Sequence, residues 1–359
     1  MVNIVDLLRL AKEKDASDLH MVVNSPPMLR IDGSLEPMEG IAPLSPEEIS
    51  GAFAQLSTAE QRKRFHDTLE LDFGYALHDV GRLRCNVAQQ RETISFALRL
   101  LPFAIPSVDE LELPQLYKEL ALRPRGLVIA SGPTGSGKST TLATMINHIN
   151  HHRACYVVTI EDPIEYIYPN LKSIITQREL GRDTLSFVSA LKHVLRQDPD
   201  VILVGEMRDP ETAAAALNVA ETGHLVFTTG HAPNAAQAME RIIDLFPPRE
   251  RYLAQVRLAS LTIAVISQAL VPRADGSGRI AAVEIMLASV AVKNLIREGK
   301  IHQLHNVIRN SNKKGMQTLD QSLAQLYLKG TITGESLTQF CHNRKEIEDV
   351  VGKLPLPGA

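Results

Sequence analysis

The chain has 359 residues, of which 44% are hydrophobic and 22% charged, and its formal net charge is −3 at pH 7. This length predicts about two domains, and the composition is that of an ordinary globular protein. The small net charge disfavours a globally basic nucleic-acid-binding protein but leaves local basic patches open. The absence of tryptophan and an aromatic content of 4% disfavour stacking platforms for single-stranded nucleic acid. No nucleic-acid partner is therefore expected.

Three cysteines, Cys85, Cys155 and Cys341, are scattered along the chain, and no two of them form a CxxC pair. This distribution excludes a disulfide framework and the usual zinc-ligand spacing, so no zinc is expected. Scattered thiols are typical of a cytoplasmic protein. No run approaches the roughly 18 uninterrupted apolar residues of a membrane span, so we expect any membrane contact to go through a partner.

The first hundred residues predict a separate α+β domain. An amphipathic helix over about 3–14 precedes a strand over 17–23, and the strand 28–31 turns at Asp32-Gly33 into a hairpin. Ser45 and Pro46 are typical of the cap and the first residue of a helix. Further strands are predicted at 71–77, 81–86 and 94–101.

From about residue 115 the pattern changes to strands that alternate with helices. Continuous apolar strands of this kind predict an α/β fold with a mainly parallel sheet covered on both faces. The proline-rich segment 102–114 is predicted to be a linker between domains spanning 1–101 and 115–359. The predicted elements are strands at 126–130, 156–160, 201–204 and 225–227, a helix face formed by Leu185, Val188, Leu191 and Leu195, and one hairpin near Asp275-Gly276 in a mostly helical final third.

Residues 132–139 spell a complete GxxxxGK[ST] phosphate-binding loop between an apolar strand and a helix. This context is required for phosphate binding, because the glycines let the backbone curl around the anion at a helix N-terminus. Lys138 is expected to reach the β- and γ-phosphates, and the Ser139 hydroxyl to ligate Mg²⁺. ATP and Mg²⁺ are the predicted cofactors, and the predicted nucleotide-binding residues of the loop are Gly132, Pro133, Thr134, Gly135, Ser136, Gly137, Lys138, Ser139 and Thr140.

Two acidic motifs follow predicted strands downstream of this loop. One apolar strand ends in Glu206, a Walker B arrangement in which the carboxylate holds Mg²⁺ through water or orients the attacking water. The run 161–165 contains Glu161, Asp162 and Glu165, which in isolation would be a solvated acidic turn. Because ligands collect at the carboxyl ends of strands in open sheets, Glu165 becomes the candidate general base.

Two histidines and three arginines complete the predicted site. His224 and His231 flank a predicted strand; a lone histidine is more often structural, but an imidazole can also donate a hydrogen bond to the γ-phosphate. We therefore predict that His224 binds nucleotide and that His231 takes part in catalysis. Arg82 and Arg84 share one face of a strand. With Arg99 they form either a solvated sheet face or arginine fingers for a phosphate held by a neighbouring subunit.

Taken together, these motifs resemble the secretion-type hexameric ATPases, and among them the retraction ATPases of type IV pili. The resemblance runs over nearly the whole chain. Residues 291–298 are similar to the AIRNLIRE signature associated with retraction, with Val292 and Lys293 in place of isoleucine and arginine. In the histidine motif, residues 228–232 read Thr-Thr-Gly-His-Ala where the family has Gly-Thr-Leu-His-Thr. The other matching segments are 17–20, 81–86, 159–166, 198–209 and 221–224.

The resemblance implies an N-terminal PAS-like domain, a RecA-like P-loop ATPase domain and a ring of six subunits with ATP between neighbours. It implies Glu165 as the catalytic base, Glu206 as the Walker B acid, and arginines of the first domain that act in trans. It further implies a cytoplasmic homohexamer, peripheral to the inner membrane through a pilus platform protein, that powers pilus retraction and twitching motility.

Three alternative functions remain open from the sequence. A secretion or DNA-transfer ATPase would have the same fold, although the absence of a four-cysteine zinc insertion and the segment 291–298 count against it. A RecA-like nucleic-acid translocase is disfavoured by the low basicity and the few aromatic residues. A non-hydrolysing regulator is disfavoured by the intact Lys138, Glu165 and Glu206.

Overall fold

The computed structural model describes residues 3–31, 33–101 and 104–352. By its contacts the chain divides into two compact units, the first up to Ala104 together with Pro163–Ile167, the second comprising Ile105–Asp162 and the residues from Tyr168 onward. Of the predicted linker 102–114, residues 102 and 103 lie outside the described residues, and the part from Ile105 belongs to the second unit.

The described residues of the first unit form six strands and three helices. The strands are β1 Asp18–Met21, β2 Met28–Ile31, β3 Ser34–Pro37, β4 Glu70–Leu77, β5 Gly81–Gln90 and β6 Thr93–Leu100, and the helices are α1 Ile4–Glu13, α2 Pro46–Leu56 and α3 Ala59–Thr68. The strands form one antiparallel sheet in the order β3-β2-β1-β6-β5-β4. Apolar residues of the sheet and of all three helices form a single core, which confirms the predicted α+β organisation.

Local sequence patterns, such as helix caps and turns, predict most of the helices and strands of the first unit correctly. Ser45 caps α2 and forms a reciprocal capping box with Glu48, so the helix begins where the sequence predicts. β2 and β3 pair through Ile31 and Ser34 as a hairpin, although Asp32 of the predicted turn lies outside the described residues. The sequence does not predict α3, because Phe65 is its one buried residue and no apolar periodicity marks it.

The second unit is an α/β fold. Its strands are β7 Gly126–Ser131, β8 Tyr156–Glu161, β9 Ile174–Glu179, β10 Val201–Glu206, β11 Leu225–Gly230, β12 Thr262–Pro272 and β13 Arg279–Leu287. Its helices are α4 Leu116–Ala121, α5 Lys138–His152, α6 Phe187–Val194, α7 Pro210–Glu221, α8 Ala235–Leu245, α9 Arg251–Leu261, α10 Val290–Arg297, α11 Leu304–Arg309, α12 Leu319–Leu328, α13 Gly334–Phe340 and α14 Arg344–Val351.

The seven strands of this unit form one sheet in the order β13-β12-β7-β11-β10-β8-β9. Every neighbouring pair is parallel except β12 and β13, which form the antiparallel hairpin predicted near Asp275-Gly276. Every residue of β7 is buried, as expected for a central strand covered on both faces. The predicted fold class is therefore confirmed, and the carboxyl ends of β7, β8, β10 and β11 share one edge of the sheet.

Two elements of this unit differ from the sequence prediction. The helix face predicted from Leu185 to Leu195 is partly wrong, because α6 begins at Phe187 and Leu185 precedes it with 94% of its surface exposed. Its buried face consists of Ala190, Leu191 and Val194. The edge strand β9 was not predicted, because it lacks the apolar run of a buried strand and exposes Ile174.

The segment 291–298 forms most of helix α10, as predicted. Val292 and Ile296 are buried, and Leu295 is partly buried against the same core. Lys293 is half-buried, whereas Arg297 is exposed. None of the helices in the described part of the chain is long and apolar enough to span a bilayer.

Candidate functional site

The phosphate-binding loop leaves β7 at Ser131 and enters α5 at Lys138. Gly132 and Gly137 have φ values of +142° and +87°, which side chains other than glycine rarely adopt. A Cβ atom at Gly132 would lie 2.5 Å from the Gln268 carbonyl oxygen, and one at Gly137 would lie 2.9 Å from the Gln268 side-chain nitrogen. Both glycines are therefore required for this curled backbone, which leads into a helix N-terminus as anion binding needs.

Lys138 places a positive charge inside this loop. It is the first residue of α5 and is 8% exposed. Its Nζ atom donates to the carbonyl oxygens of Gly132 and Pro133, both at 2.9 Å. A buried ammonium group is stable only with strong electrostatic partners. This arrangement fits the binding of a polyphosphate.

Several hydroxyl side chains lie in the loop and in the first turn of α5. The Ser136 side chain is buried, and its Oγ atom has no hydrogen-bond partner among the described residues. A buried polar atom of this kind is normally satisfied by a ligand or water. Ser139 and Thr140, half-buried, lie in the first turn of α5. Thr134 and Gly135, by contrast, are exposed on the loop.

Gln268 holds the loop in place, although no sequence motif predicts it. It lies on β12 and is 3% exposed. Its Nε2 atom donates to the Ser136 carbonyl at 2.6 Å, and its Oε1 atom accepts from the Thr141 hydroxyl at 3.0 Å. One amide therefore ties the loop to the helix that follows it. A glutamine inside an apolar strand is the signal that could have identified it.

Replacing this amide should weaken both the fold and the site. We expect Gln268→Ala to lower the free energy of unfolding by about 1–3 kcal/mol, because the Ser136 carbonyl and the Thr141 hydroxyl lose their partner in a buried position. The KM for ATP should rise as well. Urea unfolding and steady-state kinetics would measure the two effects. Gln197→Ala, at an exposed position, is the matched control and should change stability by less than about 0.5 kcal/mol; equal stability of the two variants would contradict this role.

Glu206 ends β10 at the same edge of the sheet. Its Oε2 atom accepts from Arg208 Nε at 2.6 Å, and its Oε1 atom lies 3.2 Å from His231 Nε2. Arg208 also lies 3.7 Å from Asp162, measured from Nη1 to Oδ2. The hydrogen bond from Arg208 to Glu206 raises the pKa of the arginine. Glu206 and His231 therefore contact each other, and Arg208, which no sequence motif predicts, joins them to Asp162.

The strand register relates this acidic cluster to the phosphate loop. Thr229 of β11 pairs with Glu206 on one side and with Ala130 of β7 on the other. Two strand spacings, roughly 10 Å, therefore separate the backbone of Glu206 from the end of β7. Glu206 and the start of the phosphate loop therefore lie at one edge of the sheet, two strands apart.

Short hydrogen bonds fix the segment that carries His231. The Ser131 hydroxyl donates to the Ala232 carbonyl at 2.7 Å and accepts from the Ala232 N–H at 3.0 Å. Arg241 donates to the His231 carbonyl at 2.8 Å. Gly230 belongs to β11, and a Cβ atom there would meet its nearest neighbour, Ser131 Oγ, at an ordinary 3.6 Å. The chain therefore does not require glycine before His231 on steric grounds.

His224 does not join this cluster within one subunit. It precedes β11, and its carbonyl accepts from Gly126 N–H at the start of β7, so it lies at the opposite, amino edge of the sheet. Its Nδ1 atom lies 3.0 Å from the Val219 carbonyl and from the Thr222 hydroxyl. Its predicted contact with nucleotide would therefore need a site other than this phosphate loop.

Glu161 and Glu165 have different surroundings. Glu161 ends β8 with a buried carboxylate, which accepts from Thr159 at 2.6 Å and from Gln177 at 3.3 Å. Glu165 lies in Pro163–Ile167, the segment that groups with the first unit. Its role as a base stays a prediction.

The three arginines lie on the sheet of the first unit. Arg82 and Arg84 alternate with buried residues of β5 and so share a face. Arg84 pairs across the strands with Arg99, whose Nε atom donates to Asp18 at 2.8 Å. Burial alone would raise the pKa of Asp18, but hydrogen bonds from the Ser17 hydroxyl and from Arg99 lower it below its ordinary value. Arg99 is therefore engaged within its own unit, while 62% of its side chain stays exposed.

Comparisons with known proteins agree with this architecture. The family described as "Type II/IV secretion system protein" matches residues 107–279, which contain the phosphate loop, Glu206 and His231. A "Twitching motility protein" of Neisseria gonorrhoeae is 43% identical over 96% of this chain and 92% of its own length. The "Type IV pilus ATPase PilU" of Pseudomonas aeruginosa is 44% identical over 92% of this chain and 86% of its own length.

A solved structure agrees over the whole length. The crystal structure of the pilus retraction motor PilT with bound ADP is 41% identical and matches with a TM-score of 0.91, over 97% of this chain and 100% of that one. The chain belongs to the PilT-like ATPases of the type II/IV secretion family. As a member of this family it is an ATPase, and the resemblance inferred from its motifs is confirmed.

Proposed function

We propose that this PilT-like chain is the subunit of a hexameric, Mg²⁺-dependent ATPase that powers type IV pilus retraction and twitching motility. One observation carries the proposal: a complete phosphate loop shares a sheet edge with the Glu206–His231 pair in a chain similar to PilT over 97% of its length. We further propose that it works peripherally at the inner membrane, on the cytoplasmic side, through a pilus platform protein.

The residues of the second unit fit the parts of an ATP site. Bound Mg-ATP supplies the phosphoanhydride to be cleaved and a divalent charge between the β- and γ-phosphates. Lys138 and the loop backbone would bind the phosphates, and Ser139, with Glu206 through water, would hold Mg²⁺. Among the described residues no group of three or more His, Cys, Asp or Glu side chains is arranged to hold a metal ion. This fits Mg²⁺, which is usually bound by substrate phosphates, waters and one or two protein groups.

Carboxylates would carry out the acid–base chemistry of ATP hydrolysis. Glu165 would accept the proton of the attacking water as general base. Arg208 and His231 would keep Glu206 oriented, since each contacts a different oxygen of its carboxylate. His231 would then respond to the γ-phosphate through its contact with Glu206.

We expect ATP hydrolysis to require the oligomer, because arginine fingers from a neighbour would stabilise the transferred phosphoryl group. Arg82→Ala combined with Arg84→Ala should lower turnover by about 10³-fold or more, within the range known for such fingers. Mixing these subunits, whose phosphate loops are intact, with Lys138→Ala subunits, whose arginines are intact, should restore part of the activity. Arg91→Ala, in the turn between β5 and β6, is the control.

Two results would contradict this assembly. One is a fully active monomer in analytical ultracentrifugation, and the other is mixed rings that stay as inactive as their components. In either case the arginines would belong to a solvated sheet face.

A deletion strain of the source organism tests the biological role. Without a retraction motor, cells should keep or accumulate surface pili and lose twitching, and the wild-type chain should restore motility whereas Lys138→Ala should not. Normal twitching together with a defect in protein secretion would favour the secretion alternative. ATP hydrolysis stimulated by DNA or RNA would favour a translocase.

A further inference from the structure

A cavity of about 340 Å³ lies at the amino edge of the parallel sheet, away from the phosphate loop. It opens beside Ile263, at the start of β12, where this strand pairs with the start of β7 through Thr262 and Leu127. The phosphate loop leaves the other end of β7. The length of that strand, roughly 20 Å, separates the cavity from the nucleotide site.

The cavity is lined by apolar and cationic side chains. Its large apolar lining residues, called the floor below, are Leu116, Leu120, Ile263, Leu287 and Met316. Its charged lining residues are Arg123, Lys293 and Lys314, and no acidic side chain lines it.

These three cations come from separate parts of the chain. Arg123 follows α4, Lys293 lies on α10, and Lys314 precedes Gly315 in a short loop helix. None of the three forms an ion pair with an acidic side chain in the part of the chain that the structure describes. Three like charges around one apolar depression repel each other unless an anionic partner compensates them.

We propose that this cavity docks a short segment of a partner protein, with an apolar anchor in the floor and carboxylates facing the three cations. The inference rests on the proposed retraction function, in which a partner receives the motion of the ring. A peptide fits better than a flat anionic surface, because the charges surround a depression that only an inserted side chain would fill.

The site gives a physical role to one residue of the segment 291–298. Val292 and Ile296 fix α10 to the core, and Lys293 lines the cavity. Arg297 is exposed on the same helix but does not line it. The two basic residues of this segment should therefore behave differently, although they carry the same charge.

Charge reversal tests the proposal with a matched control. The test variant is Lys293→Glu with Lys314→Glu, and the control is Arg297→Glu with Lys313→Glu, which changes net charge equally at exposed neighbouring positions outside the cavity lining. Neither pair contains a residue of the ATP site, so both proteins should assemble and hydrolyse ATP as the wild type does. The test variant alone should lose twitching in cells.

A defined probe measures docking without the pilus. A fluorescein-labelled peptide of alternating leucine and glutamate should bind the wild-type protein in fluorescence anisotropy, and a peptide with lysine for glutamate should not. Its affinity should fall at least tenfold in the test variant and stay within twofold in the control variant. Higher salt should weaken the binding, because exposed charges carry much of it.

The outcomes separate this proposal from the retraction function. Equal peptide affinity in the two variants would overturn it, and so would normal twitching of the test variant in a strain that needs the wild-type chain to twitch. So would loss of hexamers in the test variant alone, which would assign the cavity to a contact between copies of the chain. If the deletion strain twitches normally, the retraction function fails by itself, and the peptide measurements still decide whether the cavity docks an acidic segment.

Discussion

Lys138→Ala should reduce ATP turnover by at least about 10²–10³-fold, the usual effect of removing one preorganised group that stabilises transition-state charge. The buried Nζ atom contacts the carbonyls of Gly132 and Pro133, so the loop itself concentrates this charge where phosphate oxygens would bind. No other lysine or arginine belongs to the segment 132–139. Replacing Lys138 by alanine would therefore leave the phosphate-binding loop without a positively charged side chain.

Nucleotide affinity should fall in the same variant, because the proposed contact of Lys138 with phosphate would be made in the ground state as well as in the transition state. Titration with a fluorescent ATP analogue would measure this loss, and chemical unfolding without nucleotide would test whether the fold is kept. Lys172→Ala, at an exposed position, is the control and should match the wild type. A wild-type turnover rate in Lys138→Ala would remove the basis for the proposed ATP site.

The sequence predicted well the features that depend on neighbouring residues. The phosphate loop is contiguous, so its glycines and Lys138 can be read directly from the motif. The buried strands β7, β8, β10 and β11 are continuous apolar runs, and such runs mark central strands of a parallel sheet. Where burial is low, as in α3 and β9, the pattern vanishes and the element was missed.

Contacts between distant residues were harder to predict. Gln268 contacts Ser136 although the two residues are 132 positions apart in sequence, and no local sequence pattern predicts that contact. His224 belongs to the same sequence motif as His231, yet the two flank one strand at opposite ends. Since a residue before a parallel strand lies at its amino edge, the predicted sheet could have separated the two histidines before the structure did.

The contacts of Arg208 depend on the order of the strands in the sheet. Its position two residues after Glu206 is visible in the sequence, but its function depends on where Asp162 lies. The structure brings Asp162 and Glu206 to one guanidinium group because β8 and β10 are neighbours in the sheet. Strand order decides such contacts, and a single sequence does not fix strand order.

The second large loss of ATP turnover is expected when a carboxylate of the proposed ATP site is replaced. Glu206→Gln keeps the size of the side chain and removes its charge. Arg208 can still donate to the amide oxygen, while the proposed Mg²⁺ ion and attacking water would lose a carboxylate. We expect turnover to fall by about 10²–10⁴-fold with nucleotide binding largely kept. Stopped-flow binding and steady-state hydrolysis would separate the two quantities. Glu211→Gln, an exposed glutamate in the first turn of α7, is the control and should retain wild-type turnover.

Glu165→Gln should show a fall of the same size, and combining the two variants identifies their roles. If Glu165 takes the proton from the water that Glu206 helps to position, the two act as one unit. The double variant should then be barely slower than either single variant, because residues that serve one step are strongly non-additive. Multiplied losses would show that the two carboxylates act independently. Unchanged turnover in Glu165→Gln would instead place Glu165 in a solvated acidic turn and leave Glu206 as the one acid that the chemistry uses.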